Sequence, residues 1–201
     1  MTVLDAVTAQ ECFVRMGLPF RFSAEERVNL TTTDVVIDSS GVFGFPTPAS
    51  DEDITLMNMH RILGVNPNKP PSFFDHPWYL NESFMETQCP PGWHFIQVEP
   101  RAESIERPYD YYRSLEAKGW TAPLAVEVVL MLFLQYALSG EHLLLKKHTW
   151  CVDEATLGRQ VTIGAFGRNG VFISGHPSTF ASRGLGICGK LMIPPIRAIS
   201  H

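Results

Sequence analysis

A chain of 201 residues with 45% hydrophobic and 18% charged side chains can bury a sizeable core, which excludes an intrinsically disordered segment. The net charge of −5 is unevenly placed. Residues 140–201 hold three acids (Glu141, Asp153, Glu154) against seven bases (Lys146, Lys147, Arg159, Arg168, Arg183, Lys190, Arg197), so they carry +4 and the first 139 residues carry −9.

Such a split suits either a basic surface for an anionic ligand or two parts that dock on each other. The bases are spaced out, with no basic run, so nucleic acid is disfavoured as a partner. The N-terminus lacks the basic and apolar regions of a secretory signal. Four cysteines (Cys12, Cys89, Cys151, Cys188) are too few for a disulfide scaffold, and free thiols in the cytoplasm are expected.

Residues 1–30 read as helical, with Gly17-Leu18-Pro19 as a stop. Ser23 then reads as the N-cap of a second short helix with Glu25 and Glu26 in its first turn. The β-branched residues Thr31–Thr33 and Val35–Ile37 signal a strand, followed by a Gly/Pro-punctuated loop or edge segment over Gly41–Pro48. A helix is expected over Ile54–Leu63, ending at Gly64, with Asp51-Glu52-Asp53 at its start. Those acids lack the alternating spacing of a calcium loop and suit the helix dipole instead.

Residues 65–88 contain too many prolines for a regular element. The aromatics Phe73, Phe74, Trp78 and Tyr79 either stack on a planar ligand or sugar or tie this segment to the core. Cys89-Pro90-Pro91-Gly92 then turns into a buried strand over Trp93–Val98. A short helix is expected over 108–116, ending near Gly119.

The strongest helix signal spans 121–140, with Thr121 as N-cap, Pro123 in the first turn and Gly140 as the stop. It is apolar nearly all round, so it should be a central buried helix. Glu127 and Gln135 interrupt a run already too short for a membrane span. The last 60 residues read as β structure. A hairpin over 160–175 turns at Gly167-Arg168-Asn169-Gly170, and a Gly-rich loop at 182–186 enters a final strand, Ile187–Leu191. The Gly184-x-Gly186 pair opens no helix, which removes a dinucleotide-binding reading.

Neither HExxH nor C-x-x-C occurs, so the strong zinc patterns are absent and neither metal nor cofactor is expected. His148 and Cys151 are three apart, which on a strand places them on opposite faces. Cys151 is either a nucleophile, with His148, Asp153 or His94 as its activating neighbours, or a buried structural thiol. Glu99, Glu103 and Glu106 look like a solvated face.

Cys89-Pro90-x-Gly92-Trp93-His94 resembles the opening of bacterial C-type-lectin-like modules of the Fibrobacter succinogenes major-domain type. That resemblance implies a helix, a tryptophan-led strand, a hairpin and a closing strand. Here these correspond to 122–139, Trp150, 160–175 and Leu185-Gly186-Ile187-Cys188, within about 89–190. The chain departs from the family where Phe95-Ile96-Gln97-Val98-Glu99 replaces L-P-T and E-W, and where Cys151 stands in place of serine. The order Trp78-Tyr79, Gly92-Trp93, His148-Thr149-Trp150 and Val161 to Ile173 also resembles that of uncharacterised bacterial proteins.

The expected architecture is a single α+β domain, with a helical or irregular part over 1–88 and an α+β part over 89–201. One long buried helix packs on an antiparallel sheet, and the resemblance implies a C-type-lectin-like C-terminal part. The expected role is a binding or interaction module for a protein or small-molecule ligand, with Trp78, Tyr79, Arg168, Asn169, His176 and Arg183 as contacts. The alternative is a cysteine-dependent enzyme using Cys151 with His148 or His94.

Overall fold

The computed structural model describes residues 2–30, 41–49 and 52–192. The strand expected over Val35–Ile37, part of the acidic triplet (Asp51) and Arg197 lie outside the described residues. The fold is α+β. In chain order its elements begin with β1 (Thr2–Val3), α1 (Ala6–Met16), α2 (Ala24–Asn29), β2 (Val42–Thr47), α3 (Leu56–Leu63) and β3 (Gly92–Gln97). They continue with α4 (Tyr112–Glu116), β4 (Trp120–Thr121), α5 (Ala125–Ser139), β5 (His148–Ala155), β6 (Arg159–Gly167), β7 (Gly170–Pro177), β8 (Leu185–Gly186) and β9 (Lys190–Leu191).

Local chemistry explains the helix ends. Asp5 accepts from the Thr8 amide to start α1, and Gly17 closes it in the left-handed conformation at φ 76°. Ser23 and Glu26 form a reciprocal capping box on α2, as its sequence suggests. The acidic triplet does not start α3. Thr55 caps it, accepting from the Asn58 amide at 3.1 Å, and Asp53 offers only its carbonyl.

Two sheets form. One has the order β1-β2-β3-β9-β4 and the other β7-β6-β5-β8. The segment expected as a loop or edge segment at 41–48 is instead the interior strand β2. It is buried along its whole length, parallel to β1 and antiparallel to β3. Gly44 makes this possible, because a Cβ there would come within 2.7 Å of the Phe95 ring. Of the closing strand expected over Ile187–Leu191 only β9 forms, and the short β8 just before it lies in the other sheet. β8 runs parallel to β5, and β9 bridges β3 and β4.

α5 is the central element, and the ten residues Ala125–Leu134 are all buried. It packs on α1, α3, β3, β5 and β6, so it touches both sheets. Each fully buried large apolar side chain contributes roughly 1.5–3 kcal/mol of transfer free energy. Thr121 is not its cap, since it lies in β4. The exposed amides of the first turn are taken by two carboxylates: Leu124 N–H donates to Glu127 Oε2 at 2.9 Å and Ala125 N–H to Asp153 Oδ2 at 2.6 Å. No helix among the described residues is long and apolar enough to cross a membrane.

The uneven charge is partly resolved by pairing across the chain. Lys147 reaches Glu99, Arg183 reaches Glu106 at 3.4 Å and Lys190 reaches Glu127 at 2.5 Å.

Candidate functional site

The pleat of the second sheet sorts its side chains onto two faces. Cys151, Val161, Ile163, Val171 and Ile173 face the core around α5. The other face carries His148 and Trp150 from β5, Thr162 from β6, and Phe172, Ser174 and His176 from β7. Strand register sets them in rows: His148 opposite Gly164 opposite Phe172, then Trp150 opposite Thr162 opposite Ser174. Gly164 leaves the middle of the first row bare, since a Cβ there would lie 2.6 Å from His148 Cα and 2.9 Å from its ring.

After β7 the chain folds back over this face. Phe180 N–H donates to Pro177 O, Leu185 N–H to Ser182 O, and His148 N–H to Gly184 O at 2.7 Å. The result is a cleft of about 350 Å³ lined by His148, Phe172, Ser174, His176, Phe180, Ser182, Gly184 and Leu185. Its size falls in the range of small-molecule sites, roughly 300–1,000 Å³.

The walls are aromatic. His176 stacks on Phe180 at 4.5 Å, with 13° between the planes, and Trp150 meets His176 edge-on at 6.3 Å. Phe172 meets His148 edge-on at 6.0 Å and is backed by His76, stacked at 5.5 Å. The polar groups are few. Ser174 Oγ lies 3.2 Å from His176 Nε2 and 2.7 Å from Thr162 Oγ1. Burial lowers the pKa of both His148 and His176. The neighbouring imidazole of His176 adds to this at His148, and Arg159 adds to it at His176.

A second polar cluster lies inside the fold. His94, at 2% exposure, places Nδ1 2.9 Å from Glu127 Oε1 and Nε2 3.0 Å from the Pro90 carbonyl and 2.9 Å from Thr47 Oγ1. A carboxylate only accepts, so Nδ1 donates to Glu127, while Nε2 sits between the Pro90 carbonyl and the Thr47 hydroxyl. Lys190 approaches the same Glu127 oxygen from the surface. Burial raises the Glu127 pKa, but hydrogen bonds and charge from His94 and Lys190 outweigh it and hold the carboxyl below its ordinary value. The cluster ties β2, β3, α5 and β9 together.

His94, His148 and Cys151 do not share a pocket. His148 lines the cleft, His94 pairs with Glu127, and Cys151 lies on the core face of β5. Cys151 is fully enclosed, and burial followed by the charge of Asp153 pushes its thiol well up. Native Cys151 should therefore react with iodoacetamide at neutral pH far more slowly than a denatured thiol. Mass-spectrometric labelling at the denatured rate would contradict this placement.

The other sequence candidates divide clearly. Tyr79 is buried, with its hydroxyl donating to Phe74 O at 3.2 Å. Trp78 donates to Ile173 O at 3.1 Å and lies under Arg159, against Gly175 on the core face of β7. Arg168 and Asn169 are exposed at the hairpin tip, and Arg183 is exposed beside Glu106. Of the six expected binding residues, His176 lines the cleft. Phe172, Ser174 and Phe180 were missed, although the alternation of 172, 174 and 176 in a hairpin strand was a usable signal. Among the described residues no group of three or more His, Cys, Asp or Glu side chains stands close enough to hold a metal ion.

Asp153 offers a pH-dependence test. Burial outweighs its bond from Ala125 and, with the nearby Glu127 charge, raises its pKa to about 6. A carboxyl with a folded pKa above its unfolded value near ~3.9 favours folding at low pH, and this contribution fades as pH rises from about 4 to about 6. The change amounts to roughly 2–3 kcal/mol. Asp153→Asn keeps an acceptor for Ala125 and should remove that slope. Urea unfolding at pH 4.5, 6 and 7.5 checks it, and parallel pH profiles for the two proteins would refute it.

Comparison with protein-family models, with curated proteins and with solved structures found no match to this chain.

Proposed function

We propose that this protein is a binding module that takes a planar aromatic small molecule in the cleft between β7 and residues 177–185. The observation that carries the reading is the cleft's composition: stacked aromatic walls with a few convergent polar groups. The chain is taken as one domain working in the cytoplasm, a setting supported by four free, buried thiols. The likeness of residues 89–190 to C-type-lectin-like modules belongs to the same reading. It is supported by the order α5, Trp150 in β5, the β6–β7 hairpin and the Leu185–Cys188 segment.

The enclosed thiol of Cys151 and its separation from His148 favour binding over cysteine chemistry. The test uses naphthalene probes: 1-naphthol, 1-naphthoate, 1-naphthamide and 1-naphthylamine, titrated by calorimetry. At least one should bind, and Phe180→Ala should weaken it about tenfold through the lost stacking face. Phe180 is 39% exposed, so the variant should keep the native stability to within roughly 0.5 kcal/mol. Absence of binding by all four at millimolar concentration, or binding indifferent to Phe180→Ala, would overturn the proposal.

A further inference from the structure

We infer that the ligand of this cleft is an aromatic carboxylate, its ring against Phe172 and Phe180 and its carboxylate accepting from His148 and His176. The inference rests on the aromatic-binding reading above and specifies the polar end of the ligand. It follows from the charges around the site.

Among the described residues, the only titratable side chains lining the cleft are His148 and His176, and no carboxylate joins them. In the surrounding elements the nearby charges are mostly paired, and the exposed carboxylate of Asp75 stands outside the lining. Just before β5, Lys147 is paired with Glu99, and on the covering segment Arg183 is paired with Glu106. On β6, the Arg159 guanidinium lies over Trp78 and donates to Gly175 O. From the 65–88 segment, His76 backs Phe172, and Asp75 beside it is exposed. Beneath Trp150 stands Tyr109, whose amide donates to Ser178 O.

The cleft therefore offers two imidazole N–H donors and no acceptor carboxylate of its own. Burial lowers the pKa of both imidazoles, and the basic neighbours add to this effect. A carboxylate between them supplies the missing partner and accepts an N–H from each ring. It favours the protonated form of each imidazole, so binding is linked to proton uptake. A neutral amide of the same shape provides no such compensation, and an ammonium would find no carboxylate in the lining to pair with.

The test compares 1-naphthoate with 1-naphthamide by calorimetry at pH 6 and pH 8, in two buffers of different ionisation enthalpy. Naphthoate should bind about tenfold or more tightly at pH 6 than at pH 8, with measurable proton uptake, while naphthamide affinity stays flat. His176→Gln should reduce the proton uptake. Naphthamide equal to or tighter than naphthoate at pH 6, or naphthoate binding without proton uptake, would overturn the inference and leave the aromatic-binding reading standing. Binding by none of the naphthalene probes would remove both.

Discussion

Replacing Glu127 with alanine should destabilise the protein by roughly 3–5 kcal/mol, lowering the melting temperature by about 10 °C. Glu127 is fully buried and has three partners: His94 Nδ1, Lys190 Nζ and the Leu124 amide. Removing it strands the His94 ring, whose other nitrogen already faces the Pro90 carbonyl and Thr47, and uncovers an amide at the start of α5. Lys190 suffers less, because it is 26% exposed and can turn to water.

The converse substitution separates breaking the pair from replacing it. Putting leucine at both His94 and Glu127 should cost less than Glu127→Ala alone, since apolar packing can stand in for a buried ion pair. Acid sharpens the test. Because the Glu127 pKa is lowered, its contribution is present above the ordinary carboxylate range near ~4.3 and is lost as pH falls through the folded value. Urea unfolding of both variants decides the matter, and a loss below about 1 kcal/mol for Glu127→Ala would contradict the role given to this cluster.

Gly164→Ala should be comparably damaging, at about 3 kcal/mol, and should also abolish binding in the cleft. The new methyl would fall on the β5 backbone, 2.6 Å from His148 Cα, where nothing flexible can yield. Gly164 is the register partner of both His148 and Phe172, so relief of that clash moves both cleft walls. A wild-type melting temperature with unchanged naphthoate or naphthol affinity would show that the row is not packed as described.

Much of this architecture was legible in the sequence because local chemistry agreed with tertiary packing. The apolar run at 125–139, the Asn169-Gly170 hairpin and the Ser23–Glu26 cap each form where their residues suggest. Position β2 was misread because two glycines and two prolines suggested punctuation, whereas Gly44 is needed for the close approach of Phe95 and Pro46 is tolerated in the strand. Glu127 was read as an interruption of an apolar helix. Its importance depends on His94, 33 residues away, and Lys190, 63 residues away, contacts that no local pattern encodes. The cleft was half visible: strand geometry placed His148 and Cys151 on opposite faces, and His176 was named. The fold-back of 177–185 that makes a wall of Phe180 is a tertiary event.

The cleft reading can be tested most directly by following the histidine ring resonances by NMR while 1-naphthol is added. The His148 and His176 signals should shift together and saturably, while those of His60 and His142, outside the cleft, stay in place. Unmoved His148 and His176 signals at probe saturation, or shifts confined to other histidines, would contradict it.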